Sequence, residues 1–527
     1  MSTSLPTEPE VRSDLPAPAG RLRGGDYGVM VAFFLACLVT RLPLWPGMIT
    51  NPDGAECAFA LDHFNVAVGH PHPPGYLLYV YSAKVFYRLG LGANHSLLLT
   101  STLFSALACG LIYALGALLF GRRVGLAAAV LLLLENNFWR MGLGHISSVT
   151  APFWGIAVAL ACWTAWQRPG WRQVLLAAAV IGVAGGYRQE FLLMAVPLWL
   201  WSCRRAGALR LLAGLALIAA LGGLWLGVTS VLSGGYAAYR AQSVAQWRDL
   251  IYGDSALAAF THGFRPGLEA LLAHLGAWAD LTFGGRSHLT VLPWLLLTVY
   301  ACGRVLRLDL LRRDWRPQLL VLWVLPFFLF HVLLHMFARA HATVYAPVTS
   351  LLGGLGAVLL AEDWVRGRPH RPAGAPAGTR GTFAVVLTLA ALLSAAGFLV
   401  GTLPGERQDV KDLRARLAWI HQFPSTETVL IASDEFLDCP TVQYYTLDYP
   451  SYLVGRIMIV GEESNRTPNP LPLPPSVRHV IFLSPRARVL AATRPLAGPT
   501  GPCLLLHERA PAERALLLGP EGVSFIG

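Results

Sequence analysis

Apolar runs recur along the chain, separated by short stretches that carry most of its arginines. Each run is about 20 residues long, the length a helix needs to cross a bilayer. Such runs lie at about 27–46, 97–120, 124–141, 147–166, 211–232, 289–306, 318–337, 343–361 and 381–403. The segment 173–202 is long enough for two short crossings, broken at Gly185-Gly186-Tyr187-Arg188-Gln189-Glu190. The pattern therefore predicts about eleven crossings. Two polar stretches interrupt it, 47–96 and 233–288. Within the first, 53–68 is expected as a short helix and 75–90 as an aromatic, amphipathic helix lying in the membrane interface.

From 404 the style changes. Residues 408–423 read as a helix, and 428–433, 456–460, 477–483 and 503–507 read as short strands bounded by Pro, Gly and charge. The expected architecture is a polytopic α-helical membrane protein with a small C-terminal α/β domain. Its parts are a disordered tail over 1–26, a transmembrane domain over 27–403, and an extracytoplasmic domain over 404–527. Gly353-Gly354-Leu355-Gly356 lies inside an apolar run, where small residues let helices approach closely.

Composition agrees with the pattern. Of 527 residues 54% are hydrophobic and only 13% charged, with mean hydropathy +0.51; soluble proteins carry about 25% charged residues. The net charge of +11 comes from arginines in loops. With the N-terminus cytoplasmic, the arginine-dense loops at 121–123, 167–172, 203–210, 303–317 and 364–380 all face the cytoplasm, as the positive-inside rule requires. The stretches 47–96, 233–288 and 338–342, and the tail from 404, then face outward. Membrane topology thus accounts for the basicity, and no nucleic-acid-binding signature is present. Of eight cysteines, Cys37, Cys109, Cys162, Cys203 and Cys302 fall in apolar runs as small core residues. Cys57, Cys439 and Cys503 fall on the outer side, where Cys439 and Cys503 are candidates for a disulfide.

The candidate chemistry sits in the first outer stretch. Asp53 and Glu56 are spaced to share one helix face. They precede His70-Pro71-His72-Pro73-Pro74-Gly75, whose prolines restrict the backbone. His70 and His72 with a carboxylate could bind zinc, but histidines so placed more often donate hydrogen bonds or shape the loop, and no metal site is expected. No cofactor is implied. Arg188 and Glu190 lie at the break between two short crossings, where an ionisable residue at membrane depth points to function or to a local ion pair. Arg339 and His341 lie at another outer boundary. Aromatic and polar residues of 233–288 suit either an interfacial helix or contact with a sugar. No Walker A, Rossmann or Ser-His-Asp signature stands out.

Asp53-Gly54-Ala55-Glu56, followed by His72-Pro73-Pro74-Gly75-Tyr76, resembles the first outer loop of the GT-C superfamily of integral-membrane glycosyltransferases. The nearest resemblance is to the bacterial protein O-mannosyltransferase-like group, whose pattern is D-x-G-E…H-P-P-G-Y; this chain has Gly54-Ala55 where the group has Ser-Gly. The resemblance implies a sugar donor carried on a polyprenyl phosphate, a lipid, glycan or protein acceptor, and inversion at the anomeric carbon. It implies that Asp53 is the general base, that Glu56 orients the acceptor or a histidine, and that a basic residue such as Arg339 in a late outer loop meets the donor phosphate. His70, His72, Tyr76, Arg188, Glu190 and His341 complete the expected substrate site. The competing readings are a transporter or flippase of lipid-linked saccharide, and a non-enzymatic envelope-assembly protein.

Overall fold

A computed structural model describes residues 15–249, 252, 255–284, 288–334, 339–366, 377–433, 439–454, 471–483, 494–496, 504–508, 515–519 and 522–526. The helical part opens with α1 (Gly24–Arg41), α2 (Pro52–Asp62), α3 (Leu77–Arg88), α4 (Ala93–Phe120), α5 (Arg122–Leu134) and α6 (Asn136–Met141). It continues through α7 (Ala151–Gln167), α8 (Trp171–Tyr187), α9 (Phe191–Met194), α10 (Val196–Cys203) and α11 (Ala208–Leu232). Then follow α12 (Tyr236–Asp249), α13 (Ala256–Thr261), α14 (Phe264–Ala279), α15 (His288–Arg307), α16 (Leu310–Arg313) and α17 (Trp315–Leu334). The last are α18 (Arg339–Ala342), α19 (Ala346–Arg366), α20 (Ala377–Ala396), α21 (Leu403–Ile420) and α22 (Cys439–Tyr445). Seven of the described helical rods are long and apolar enough to cross a membrane, and α8 and the α9–α10 pair are shorter apolar pieces. The chain is a multi-pass membrane protein.

Small residues set the closest helix contacts. Gly121, at φ +92°, turns α4 into α5, and Gly116 and Gly125 then meet face to face. A Cβ on Gly125 would stand 2.8 Å from the Ala117 amide nitrogen. The glycines of 353–356 do what the sequence suggests: Gly354 lies against the backbone of Val124 and Ala128, and Gly353 against Leu131 and Trp294. One large cluster of buried apolar side chains runs through α4, α5, α7, α8, α17 and α19.

The bundle has two distinct ends. At one, Asp26 accepts hydrogen bonds from Arg122 at 2.8 Å and from the Tyr113 hydroxyl at 2.7 Å. On the same end Arg316 donates to the carbonyls of Leu119 and Pro16, and Trp315 lies 6.0 Å from Trp166. At the other end are α2, α3, the C-terminus of α8 and the sheet domain.

That domain contains a five-stranded sheet of order β2-β1-β4-β6-β5. β1 (Thr428–Ser433) pairs in parallel with β2 (Ser451–Val454) and, after β3 (Leu471–Pro472), with β4 (His479–Phe482). β6 (Leu504–Glu508) runs antiparallel between β4 and β5 (Arg494–Leu496). β3 also pairs with β7 (Ala515–Gly519), which pairs with β8 (Gly522–Ile526). The strand expected at 456–460 lies outside the described residues, as do the side chains of Cys439 and Cys503.

Four expectations need correction. The tail assigned to 1–26 is ordered from residue 15: Leu15 is buried, the Ala19 amide donates to Ala117 at 3.0 Å, and Asp26 belongs to the first turn of α1. The run at 124–141 is two helices, because Glu135 turns its side chain onto the amides of Asn137 and Phe138 and caps a new start. No break falls at 404. α20 passes through a π-helical stretch, Gly397–Thr402, directly into α21, so the last span and the first helix of the tail are one rod. Cys57, expected on the outer side as a disulfide-competent residue, is buried in α2 and free.

Gly125→Val should lower stability by about 1–3 kcal/mol, the usual cost of overpacking. The check is the thermal midpoint of the detergent-solubilised protein, followed by size-exclusion chromatography.

Candidate functional site

The candidate site grows out of the first turn of α2. The Asn51 side chain caps the helix by accepting from the Gly54 amide at 3.3 Å, and Pro52 occupies the first helical position. Asp53 therefore stands in the first turn, where the helix dipole favours a carboxylate. Glu56 follows one turn later on the same face. Gly54 is required by space: a Cβ there would lie 2.7 Å from Cβ of His145 and 3.1 Å from Ile49 Cγ2. His145 is itself fixed by Asn94, at 2.7 Å from Nε2.

The return loop is built as rigidly as its prolines suggest. Asn65 and His70 exchange backbone hydrogen bonds at 2.6 and 2.9 Å, with Gly69 at φ +79° between them. The bonds His70–Pro71 and Pro73–Pro74 are cis. Gly75 sits at φ +103°, with Val66 and Thr229 where a Cβ would go. Tyr76 then starts α3 from a left-handed conformation, φ 43°.

This loop brings His72 onto Glu56. The His72 amide donates to Glu56 Oε2 at 3.0 Å, and its Nδ1 pairs with the same oxygen. Its Nε2 lies 3.3 Å from the Tyr76 hydroxyl. Arg188 comes from the break after α8. Its Nε donates to Glu190 at 2.6 Å, and its guanidinium lies 5.5 Å from the centre of the Tyr76 ring. Gln189 donates to the Pro74 carbonyl at 3.3 Å, so the break is docked on the loop. Asp53, Glu56, His72, Tyr76, Arg188 and Glu190 are thereby gathered into one cluster from segments more than a hundred residues apart.

The electrostatics are those of half-buried charges balancing one another. Burial raises the Asp53 pKa and Glu56 adds to the rise, while His72 and Arg188 oppose it. Burial pulls the His72 pKa down, but Asp53 and Glu56 outweigh it and hold it up at about 9. His72 is therefore a cation at neutral pH. Burial also raises the Tyr76 pKa, so that hydroxyl stays protonated.

Other expected residues stand apart. His70 stacks on Phe59, centroids 4.5 Å apart, and burial lowers its pKa. It shapes the loop while His72 carries the ion pair. Among the described residues no group of three His, Cys, Asp or Glu side chains is placed to hold a metal ion. His341, on α18, stacks on His331 at 4.8 Å, and neighbouring Ala340 packs against the apolar cluster of α2 and α3. The Arg339 side chain lies outside the described residues. Arg41 is fully buried, donates to the Leu133 carbonyl and lies over Trp139.

Sequence reasoning missed Tyr445. Its hydroxyl accepts from the Ile49 amide at 2.7 Å, bracing the turn that leads into α2. Neighbouring Tyr444 packs edge-on against Phe59, at 5.3 Å. A partner 396 residues away has no local signal.

Comparison with known proteins agrees with this picture. Residues 70–232 match the family described as dolichyl-phosphate-mannose-protein mannosyltransferase. No curated protein sequence matches the chain. The structure is similar to that of ArnT from Cupriavidus metallidurans bound to undecaprenyl phosphate, with TM-score 0.56 and 16% identity over 92% of this chain and 98% of that one. The apo state of the same protein gives TM-score 0.54 at the same identity and the same coverage. The chain therefore shares the fold of the ArnT structure, in line with the architecture expected from the motif at Asp53–Glu56 and His72–Tyr76.

The raised His72 pKa has a stability consequence. The pairing with Glu56 and Asp53 contributes fully below the ordinary value of 6.5 and is lost as pH rises through about 9. The thermal midpoint should therefore fall over that interval, and His72→Gln should flatten the fall when melts are recorded at stepped pH.

Proposed function

From a GT-C fold with this cluster at one end, we propose that the chain is an inverting glycosyltransferase. It moves a sugar from a polyprenyl-phosphate donor to a hydroxyl of a lipid, glycan or protein acceptor at the outer face of the membrane. The observation that carries the reading is the half-buried Asp53, held at a helix N-terminus beside a cationic His72 and Arg188. The undecaprenyl phosphate named with the similar ArnT structure supports a lipid-linked donor.

Each residue has a chemical part in this reading. The acceptor oxygen attacks C1 of the sugar from the face opposite the phosphate. As the new C–O bond forms, the hydroxyl proton passes to a carboxylate oxygen of Asp53. The C1–O bond to phosphate breaks with its electron pair, releasing polyprenyl phosphate as a stable anion, so no strong acid is needed on that side. Arg188 and His72 supply the positive potential that favours the departing charge. Glu56 fixes the ring of His72, and Glu190 fixes Arg188. Tyr76 offers its hydroxyl to the sugar. Arg339 and His341 have the role of a second, later contact to donor phosphate. The sheet domain belongs to the outer side, with the acceptor.

Asp53→Asn should lower transfer from a polyprenyl-phosphate sugar pool by about 10²- to 10⁴-fold, with donor binding retained. In the wild type, transfer should fall as pH drops through the raised Asp53 pKa, because the base is then protonated. Purified protein assayed with radiolabelled donor checks both; an Asp53→Asn enzyme as fast as the wild type would remove Asp53 from this role.

A further inference from the structure

The end of the bundle away from Asp53 carries five arginines with no carboxylate paired to them among the described residues. Arg168 and Arg172 flank the turn from α7 to α8, and Arg204, Arg205 and Arg210 flank the turn from α10 to α11. Elsewhere on this end, among the described residues, several arginines have their own acid. Arg122 pairs with Asp26 at 2.8 Å, Arg316 with Asp314 at 2.5 Å, and Arg304 with Asp363 at 3.6 Å. Between 166 and 210 the single acidic residue is Glu190. It sits at the opposite end of α8, paired with Arg188 at 2.6 Å. Among the described residues no ion pair reaches any of the five.

Aromatic rings take the place of carboxylates. The Arg204 guanidinium lies 4.3 Å from the Trp166 ring centre and 5.0 Å from that of Trp201, and Arg205 lies 4.8 Å from Trp166. The two indoles are parallel, 4.5 Å apart at 4°. Arg210 lies 5.8 Å from Trp171 and donates to the Pro169 carbonyl at 2.8 Å. A guanidinium held by its face on an indole keeps the N–H donors along its edge for another group. Arg204 and Arg205 are exposed. Several positive charges with N–H donors close together match a phosphate ester.

The surroundings say where that phosphate comes from. Trp171 and Leu209, next to these arginines, are 44% and 69% exposed, and α11 is an apolar helix that leaves most of its residues unburied. α8 has 17 residues between this patch and Arg188. That is about 25 Å at 1.5 Å per residue, close to the roughly 30 Å of a hydrocarbon core. The patch thus stands at headgroup level of one leaflet when the Asp53 cluster stands at the other.

We infer that Arg204 and Arg205, stacked on Trp166 and Trp201 and joined by Arg168, Arg172 and Arg210, form a docking site for the phosphate of anionic phospholipid in the leaflet opposite the Asp53 cluster. The inference does not depend on the glycosyltransferase reading. It needs only the two-ended bundle and the unmatched charge.

The test is native mass spectrometry of the detergent-purified protein incubated with phosphatidylglycerol or with phosphatidylcholine of the same acyl chains. Wild-type protein should retain phosphatidylglycerol and not phosphatidylcholine, and excess inorganic phosphate should not displace the bound lipid. The double substitution R204Q/R205Q should weaken retention about tenfold or more. R312Q/R313Q, which removes two arginines facing Asp309, should leave it unchanged. Should R204Q/R205Q not fold, R168Q/R172Q, exposed at the neighbouring turn, is read in its place. Equal retention of the two lipids, displacement by phosphate, or equal loss in the control variant overturns the proposal.

Discussion

Opposite charges that share one half-buried space must neutralise each other, and the Glu56–His72 pair is where this chain meets that requirement. A carboxylate removed from water is costly unless it is paired and hydrogen-bonded. Glu56 takes both the amide and the ring of His72. That fixes the loop of 70–76, which sets Tyr76 under Arg188 and places Pro74 where Gln189 can reach it. Removing the pair would free the loop, and with it the register between α2 and the break after α8. The unusual environment of Asp53 is a result of this arrangement.

Much of the architecture was legible because membranes impose a simple code. Apolar length gives the spans, and Arg188 with Glu190 in an apolar segment announces the break between α8 and α9. The motif residues Asp53, Glu56, His72 and Tyr76 were also legible, and the structure brings them together. What escaped has physical reasons. Leu15 and Ala19 are ordered by long-range contacts that tail composition does not reveal. Glu135 reads as part of an apolar run until its side chain is seen capping α6. The HxH spacing of His70 and His72 suggests one shared ligand, yet Phe59 takes one ring and Glu56 the other. Tyr445 reaches Ile49 only because the chain returns after 396 residues.

The two ends of the bundle solve different electrostatic problems. In the Asp53 cluster charges of both signs are few, removed from bulk water and balanced against one another. At the other end arginines are many, and some stack on tryptophan rather than meeting an acid. Short helices α8, α9 and α10 link the two, so the backbone break at Arg188 stands near the level where the apolar bundle gives way to the polar cluster.

The union of α20 with α21 has a mechanical meaning. Residues Arg380–Ile420 form 41 residues of uninterrupted helix, about 60 Å at 1.5 Å per residue. The rod is pinned midway, where Glu406 meets Arg140 at 2.5 Å. Its far end packs under the sheet through Leu413, Leu417 and Ile420. A lever held at such a fulcrum turns a small tilt inside the lipid into a larger sweep at its tip. The sheet domain, with Tyr444 and Tyr445 braced on Phe59 and Ile49, would then move in step with the bilayer rather than swivel on a tether.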